Sequence, residues 1–418
     1  MNRHHRVMTR HQGNCSSGLR AHSLLLLLSC ILWSLIAQTH ADDSIRLEDI
    51  RDFRAAEQAL ANGDHARFKT LQQRLEEYPL APYLQLEWLE QRIATTPVTN
   101  LAPEVEAFLD RYANTGPGEN LRWQWLQALE EAGAWTQWLQ SYRENGSSSR
   151  DCQYRRALIE TGQAGRAFEG LEDLYLTGDS LPDACDPVLQ AWADADGLPA
   201  ERVWQRIDLA LSRNAKNLAA HQARYLPDEQ LPLLESLLAV LAEPSLLIDR
   251  LPEDPLPRAI MITAAIETAA GRDPQLAVAL HDQLGAHFAA ADSPTKDLAD
   301  ARWAEQQLSP QAQTRIHLAI GFAFAETQDS EALTWLSRID PKAANPAQHR
   351  RRLRAALHLE AWEQIQDWID ALPNEERQKA RWHYWLGRAH AKTDQPEQAE
   401  IAYRQAAGTR NLWGFLAA

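Results

Sequence analysis

Sulfur and positive charge are both scarce in this 418-residue chain. It holds four cysteines and three methionines. No cysteine cluster has the spacing of a zinc site, and none of the 14 histidines falls in a His-Glu-x-x-His pattern, so no metal is expected. A glycine-rich phosphate loop and a nucleophile elbow are also missing, and no cofactor is expected. Lysine and arginine total 42 against 57 aspartates and glutamates, a formal net charge of −15. Such a chain repels a phosphate backbone, and no nucleic-acid motif offsets that. After Ala37 no apolar run approaches the length of a membrane span. Convincing alternating strands are missing as well, which argues against a β fold.

What is present begins with an expected export signal at residues 1–41. Arg3, Arg6, Arg10 and Arg20 make a basic leader with no acidic residue, and Leu24 to Ala37 is an apolar core of 14 residues. That core is too short for a comfortable span, and Thr39-His40-Ala41 offers small residues where a signal peptidase reads. A lipoprotein reading would use Leu27-Leu28-Ser29-Cys30, but Cys30 is followed by more apolar residues. Without the leader, 38 basic residues face 57 acidic ones, a charge of −19. The processed chain is expected to be soluble and exported to an oxidising compartment. Cys152 and Cys185 are then its only cysteines and natural partners, two unpaired thiols being the alternative.

The 377 residues after the leader exceed one compact core, so several domains or a repeat array are expected. Periodicity favours the array. Val105, Phe108, Leu109 and Tyr112 fall on one helical stripe, and Trp362, Ile365 and Ile369 repeat the pattern. Helix starts are marked by a cap followed by proline at Asp273-Pro274, Ser293-Pro294, Ser309-Pro310 and Asn345-Pro346. Stops fall at Gly63, Gly133, Gly162 and Gly271. Around the cysteines two helices are implied, closed by Gly162 and Gly178. Leu386, Gly387, Ala399, Tyr403 and Ala406 match small and large positions of a tetratricopeptide-like hairpin, although His383 and His390 stand where that repeat is usually aromatic. The fold class expected is all-α, an irregular superhelical solenoid of stacked helical hairpins over residues 42–410.

Several motifs, in order, carry a family resemblance. Cys152-x-Tyr154, Glu160-Thr161-Gly162-Gln163 and Leu176-Thr177-Gly178-x-Ser180-x-Pro182-x-Ala184-Cys185-Asp186-Pro187 form its centre. Tyr78-Pro79-Leu80-Ala81-Pro82-Tyr83-Leu84 precedes them, and Arg381-Trp382-His383-Tyr384-Trp385-Leu386-Gly387-Arg388-Ala389 follows. The final Trp413-Gly414-Phe415-Leu416-Ala417-Ala418 belongs to the same set. Together they resemble the N-terminal superhelical U domain of the soluble lytic murein transglycosylases. The resemblance implies a periplasmic protein whose partner is the peptidoglycan glycan strand, and a disulfide between Cys152 and Cys185. It also implies that residues 411–418 start a following linker region.

In that family one glutamate, followed by serine and later by a Gly-Leu-Met-Gln segment, cleaves the MurNAc-GlcNAc bond. It acts first as acid and then as base while an anhydro ring closes. Glu235-Ser236 is the tempting match, but no Gly-Leu-Met-Gln follows it, so an ordinary helix position is the preferred reading. The catalytic set is expected to be none, and the chain alone inactive. The 14 tryptophans after the leader invite sugar stacking, yet Trp88, Trp335, Trp362 and Trp385 lie in amphipathic runs and read as packing. The basic run from His349 to Arg354 reads as a solvated helix face, with contact to acidic peptide stems or a partner as the alternative. A free-standing helical-repeat adaptor binding periplasmic proteins is the competing function.

Overall fold

The computed structural model describes residues 47–292, 307–341 and 344–418. Every regular element among the described residues is a helix, and none is a strand. The all-α fold of successive helical hairpins therefore forms. Residues 1–41 and the pair Ser293-Pro294 lie outside the described residues. The chain divides into two compact units, one formed by residues up to Asn145 with Ala157–Ala164, the other by Gly146–Arg156 with Gly165–Ala418.

In the first unit a helix at 47–61 is followed by His65–Arg74, Ala81–Ile93, Val98–Arg111, Gly116–Glu131 and Trp135–Ser141. The stripe read from the sequence is the buried face of Val98–Arg111, where Leu101, Val105, Phe108 and Leu109 point inward. Tyr112 caps that helix, its ring 4.8 Å from Phe108. Leu60, Phe68, Leu75 and Leu84 form a core against which Trp88 packs, stacked on Phe68 at 5.4 Å. Each such fully buried side chain contributes about 1.5–3 kcal/mol of hydrophobic stabilisation.

The second unit is built around Pro255–Ala270, in which every residue from Ile260 to Ile266 is buried. A helix apolar all round belongs in the middle of its unit. It packs against Ala200–Ser212, Leu231–Ala242, Pro274–Asp292 and Pro310–Glu326. The expected starts hold where they are described. Ser309 accepts a hydrogen bond from the amide of Ala312 at 3.2 Å, and Asn345 forms a reciprocal capping box with Gln348. Gly63, Gly133 and Gly162 take φ of +72°, +65° and +76°, as helix stops there require. Gly271 stays right-handed at −69°.

The cysteine hairpin differs from its sequence reading. Cys152, on Ser148–Glu160, is bonded to Cys185 at the end of the 3-10 turn Asp183–Cys185, with the Cα atoms 4.8 Å apart. The second helix is not continuous, because it breaks into Ala164–Phe168 and Leu171–Tyr175 at Gly170, φ +65°. Arg155 holds the break. Its Nε donates to Asp151 at 2.8 Å, while Nη1 donates to the carbonyls of Ala167 and Glu169 at 2.6 and 2.7 Å, satisfying groups the helix end leaves free. Gly178 is needed for another reason than a left-handed turn. A Cβ there would lie 2.4 Å from the carbonyl oxygen of Leu209, so glycine lets the loop press against the helix Ala200–Ser212.

At the C-terminal end, Ala380–Lys392 and Ala399, Ala402 and Ala406 of Pro396–Ala407 pack closely, as the tetratricopeptide-like spacing indicated. A Cβ on Gly387 would meet the Tyr403 ring at 2.7 Å. The tail Leu412–Ala417 is a helix capped by Asn411, whose side chain accepts from the amides of Trp413 and Gly414. Trp413 lies 5.6 Å from Tyr384 and 6.0 Å from Trp385, while Leu412, Phe415 and Leu416 remain exposed.

Candidate binding groove

Within the second unit a groove of about 770 Å³ opens over the central helix. A concave cleft with an apolar floor and converging polar groups is the default place to look for a ligand. Here Ala264 from Pro255–Ala270 and Leu318, Ala319 and Phe322 from Pro310–Glu326 supply apolar lining.

Its polar centre is Arg315. The guanidinium donates from Nε and Nη2 to the two carboxylate oxygens of Glu267, at 3.0 and 2.7 Å, and from Nη1 to Asp208 at 2.6 Å. This two-pronged geometry suits the flat guanidinium fork. Burial alone would lower the pKa of Arg315, but the hydrogen bonds and charges of Glu267 and then Asp208 outweigh it and hold the cation more firmly. Three helices far apart in sequence are thereby pinned at one point. Glu267 accepts with both of its carboxylate oxygens.

The rim is more basic than the chain as a whole. Lys216 and Arg351 are exposed there, and Arg351 lies over the Phe322 ring at 4.2 Å. Arg272 donates from Nη2 to the carbonyls of Leu241 and Ala242, closing the end of Leu231–Ala242. Such a surface offers cations for carboxylates, amide and carboxylate groups for hydroxyls, and one aromatic edge for a flat apolar face.

The basic run from His349 to Arg354 is therefore divided between three environments. Arg351 enters the groove rim, Arg354 is exposed, and Arg352 is buried over the Trp368 ring at 4.4 Å, with burial pulling its pKa down to about 10. His349 is buried too, its Nε2 3.1 Å from the carbonyl of Pro341. Glu235 is exposed and Ser236 half-buried on Leu231–Ala242, and neither lines the groove. Trp335 is buried and Trp88, Trp362 and Trp385 half-buried, consistent with packing. Trp123, which carried no signal in the sequence, is 57% exposed. The Arg315 cluster carried none either, since Asp208 and Glu267 lie 107 and 48 positions away from it.

No protein-family profile matches the chain. Among curated proteins, the soluble lytic murein transglycosylase of Salmonella typhimurium is 24% identical over 366 residues, covering 85% of this chain and 53% of that protein. Its namesake from Escherichia coli K12 is 22% identical over 345 residues, covering 82% and 50%. The chain thus spans about half the length of the curated relatives it matches. The crystal structure of an inactive mutant of lytic transglycosylase Slt from Pseudomonas aeruginosa superposes with a TM-score of 0.67 at 26% identity, over 88% of this chain and 57% of that one. The 70-kDa soluble lytic transglycosylase of Escherichia coli gives a TM-score of 0.64 at 20% identity, over 89% and 57%, and shows the same fold. A further structure of the 70-kDa enzyme is a complex with bulgecin A. By sequence over most of its length and by its helical fold, the chain is similar to the soluble lytic murein transglycosylases.

Proposed function

We infer that this chain supplies the helical, glycan-holding part of a periplasmic enzyme system that cleaves peptidoglycan strands. The observation that carries the reading is the match to murein transglycosylases over 85% of this chain in sequence and 88% in structure. Residues 1–41 serve as the export signal, 42–410 as the helical body and 411–418 as the lead into a following region. No helix among the described residues is long and apolar enough to cross a membrane, which is consistent with that placement.

The groove chemistry fits a murein strand. Lactyl and peptide-stem carboxylates find Lys216 and Arg351 at the rim, and acetamido groups find donors and acceptors around the Arg315 cluster. Hydrolytic or transglycosylating chemistry is not assigned to these 418 residues, because they contain no Gly-Leu-Met-Gln segment and Glu235 is an exposed helix position. The test is cosedimentation of the purified chain with murein sacculi, alongside an assay for released anhydro-muropeptides. Binding without release is expected, weakened by the double substitution Lys216→Ala and Arg351→Ala. Sacculi that leave the chain in the supernatant would overturn the reading in favour of a protein-binding adaptor. Turnover abolished by Glu235→Gln would overturn the assignment of no chemistry.

A further inference from the structure

Arg350, a member of the basic run from His349 to Arg354, takes part in neither the groove nor the core. From Pro346–His358 it reaches Glu376 on the short helix Asn374–Arg377, its Nη1 lying 3.7 Å from Oε1. Arg381, in the first turn of Ala380–Lys392, brings Nη2 to 3.6 Å from the same oxygen. Lys379, just before that helix, donates from Nζ to the other oxygen, Oε2. Three cations, one of them far from the other two in sequence, therefore meet at one carboxylate in a chain that is acidic overall.

The carboxylate is already satisfied. Its side chain is only 5% exposed, and Oε1 accepts from the Trp382 indole at 3.2 Å while Oε2 takes the lysine. Burial alone would raise the pKa of Glu376, but those two hydrogen bonds and the charges of Lys379 and Arg381 outweigh it and keep the group ionised. The two arginines are not satisfied. At 3.7 and 3.6 Å both stand outside hydrogen-bond distance of Glu376, and neither donates to any other described residue. Their side chains are 37% and 34% exposed, that of Lys379 is 43% exposed, and no arginine nitrogen of the pair is sealed from solvent. Glu375, the neighbouring carboxylate, is exposed and forms no ion pair with the cluster among the described residues.

Charge and geometry then narrow the ligand. One negative charge among three positive ones leaves an excess of two, and like charges held this close repel until an anion joins them. A carboxylate is flat, carries one charge and fills a single guanidinium fork. A phosphate monoester carries a charge of about −1.5 to −2 and three acceptor oxygens, so it meets two forks and an ammonium at once. Glu376 would remain beneath it, holding the cations in place. We propose that Arg350, Lys379 and Arg381, set around Glu376, form a binding site for a phosphate monoester. That group is carried both by small phosphorylated solutes and by the headgroup of phosphatidic acid. None of these residues lines the groove, and the site does not depend on the glycan-holding reading.

The probe is glycerol 3-phosphate, titrated by calorimetry into the purified chain at about 0.15 M salt, where attraction between exposed charges is screened. The wild-type chain is expected to bind one equivalent, and glycerophosphocholine, a singly charged diester, at least tenfold more weakly. Arg350→Gln combined with Arg381→Gln should weaken binding tenfold or more, with unchanged far-UV circular dichroism showing that the variant folds. Arg74→Gln combined with Arg111→Gln removes the same charge at exposed positions of the first unit and should leave the affinity unaltered. Cosedimentation with phosphatidylcholine vesicles, with and without phosphatidic acid, separates the sources. Capture by the phosphatidic acid vesicles assigns a lipid headgroup, and glycerol 3-phosphate binding without capture assigns a soluble ester. No binding of glycerol 3-phosphate, equal affinity for the diester, or undiminished binding by the Arg350 and Arg381 variant would overturn the site. Tighter binding of an octaglutamate peptide would also overturn it, in favour of an acidic protein segment.

Discussion

Gly387→Ala sets two effects of opposite sign against each other. Gly387 lies buried inside Ala380–Lys392. Replacing an interior helical glycine by alanine gains about 1 kcal/mol in helix propensity. Against that, the new Cβ would stand 2.7 Å from both Cδ1 and Cε1 of Tyr403 and 3.0 Å from its Cγ. Carbon atoms rest at about 3.5–4.0 Å, so three atoms of one rigid ring must move together. The Tyr403 ring is itself 6.1 Å from that of Tyr384, which limits where it can go. Overpacking of this kind costs about 1–3 kcal/mol. The clash should win, and the variant should lose about 1 kcal/mol net. In a Tyr403→Ala background the obstacle is gone, and the same substitution should stabilise by up to about 1 kcal/mol. The sign change, an interaction energy of about 2 kcal/mol, is the quantity to measure. Amide hydrogen exchange across residues 380–407, with urea unfolding of the four variants, reports it. If Gly387→Ala stabilises in both backgrounds, the close approach of the two helices is not what selects glycine.

Three further outcomes follow from particular contacts. Cys152→Ser opens a loop of 33 positions and should cost ~3.7 kcal/mol by chain entropy. Exchange should rise first near Cys185, and peptide mapping without reductant should find Cys152 linked to Cys185 in the wild type. His317 is pushed down to about 4 by burial first, and then by the charges of His281 and Arg338. Its folded pKa lies below the unfolded value, so the unfolded chain takes up a proton first and stability falls as pH drops from about 6.5 to about 4. His317→Leu should flatten that limb of a plot of Tm against pH, and an unchanged slope would refute the assignment. Trp413→Ala removes the ring against Tyr384 and Trp385, and should lower the stability of the last hairpin by about 2 kcal/mol, since half-buried aromatic packing is lost. An unchanged urea midpoint would show that the tail merely lies on the surface.

Much of the local architecture was legible before any coordinate. The stripe Val105, Phe108 and Leu109 faces inward, Asn345 caps its helix, and Gly162 turns left-handed. Each is decided within a turn or two of backbone, by side-chain direction, by a free amide, or by the absence of a Cβ. Where two segments meet, the same signs misled. Gly178 reads as a helix stop, but the carbonyl of Leu209 is what excludes a side chain there. The second helix of the cysteine hairpin reads as continuous, but Gly170 and the reach of Arg155 divide it.

The groove belongs wholly to the second kind of information. Arg315, Glu267 and Asp208 come from separate helices, and no spacing in the chain relates them. Arg351 and Arg352 are neighbours of one type in one basic run, yet one reaches the groove rim and the other is buried over Trp368. A helix turns about 100° per residue, so adjacent positions face different surroundings, and the packing around it decides what those surroundings are. The sequence by itself determined that this chain is helical, how its helices start and stop, and which family its motifs resemble. Which charges are brought together, and which arginine of one basic run is buried, were decided only when those helices packed, because contact between distant segments is fixed by the shape of the assembled core and not by the order of residues.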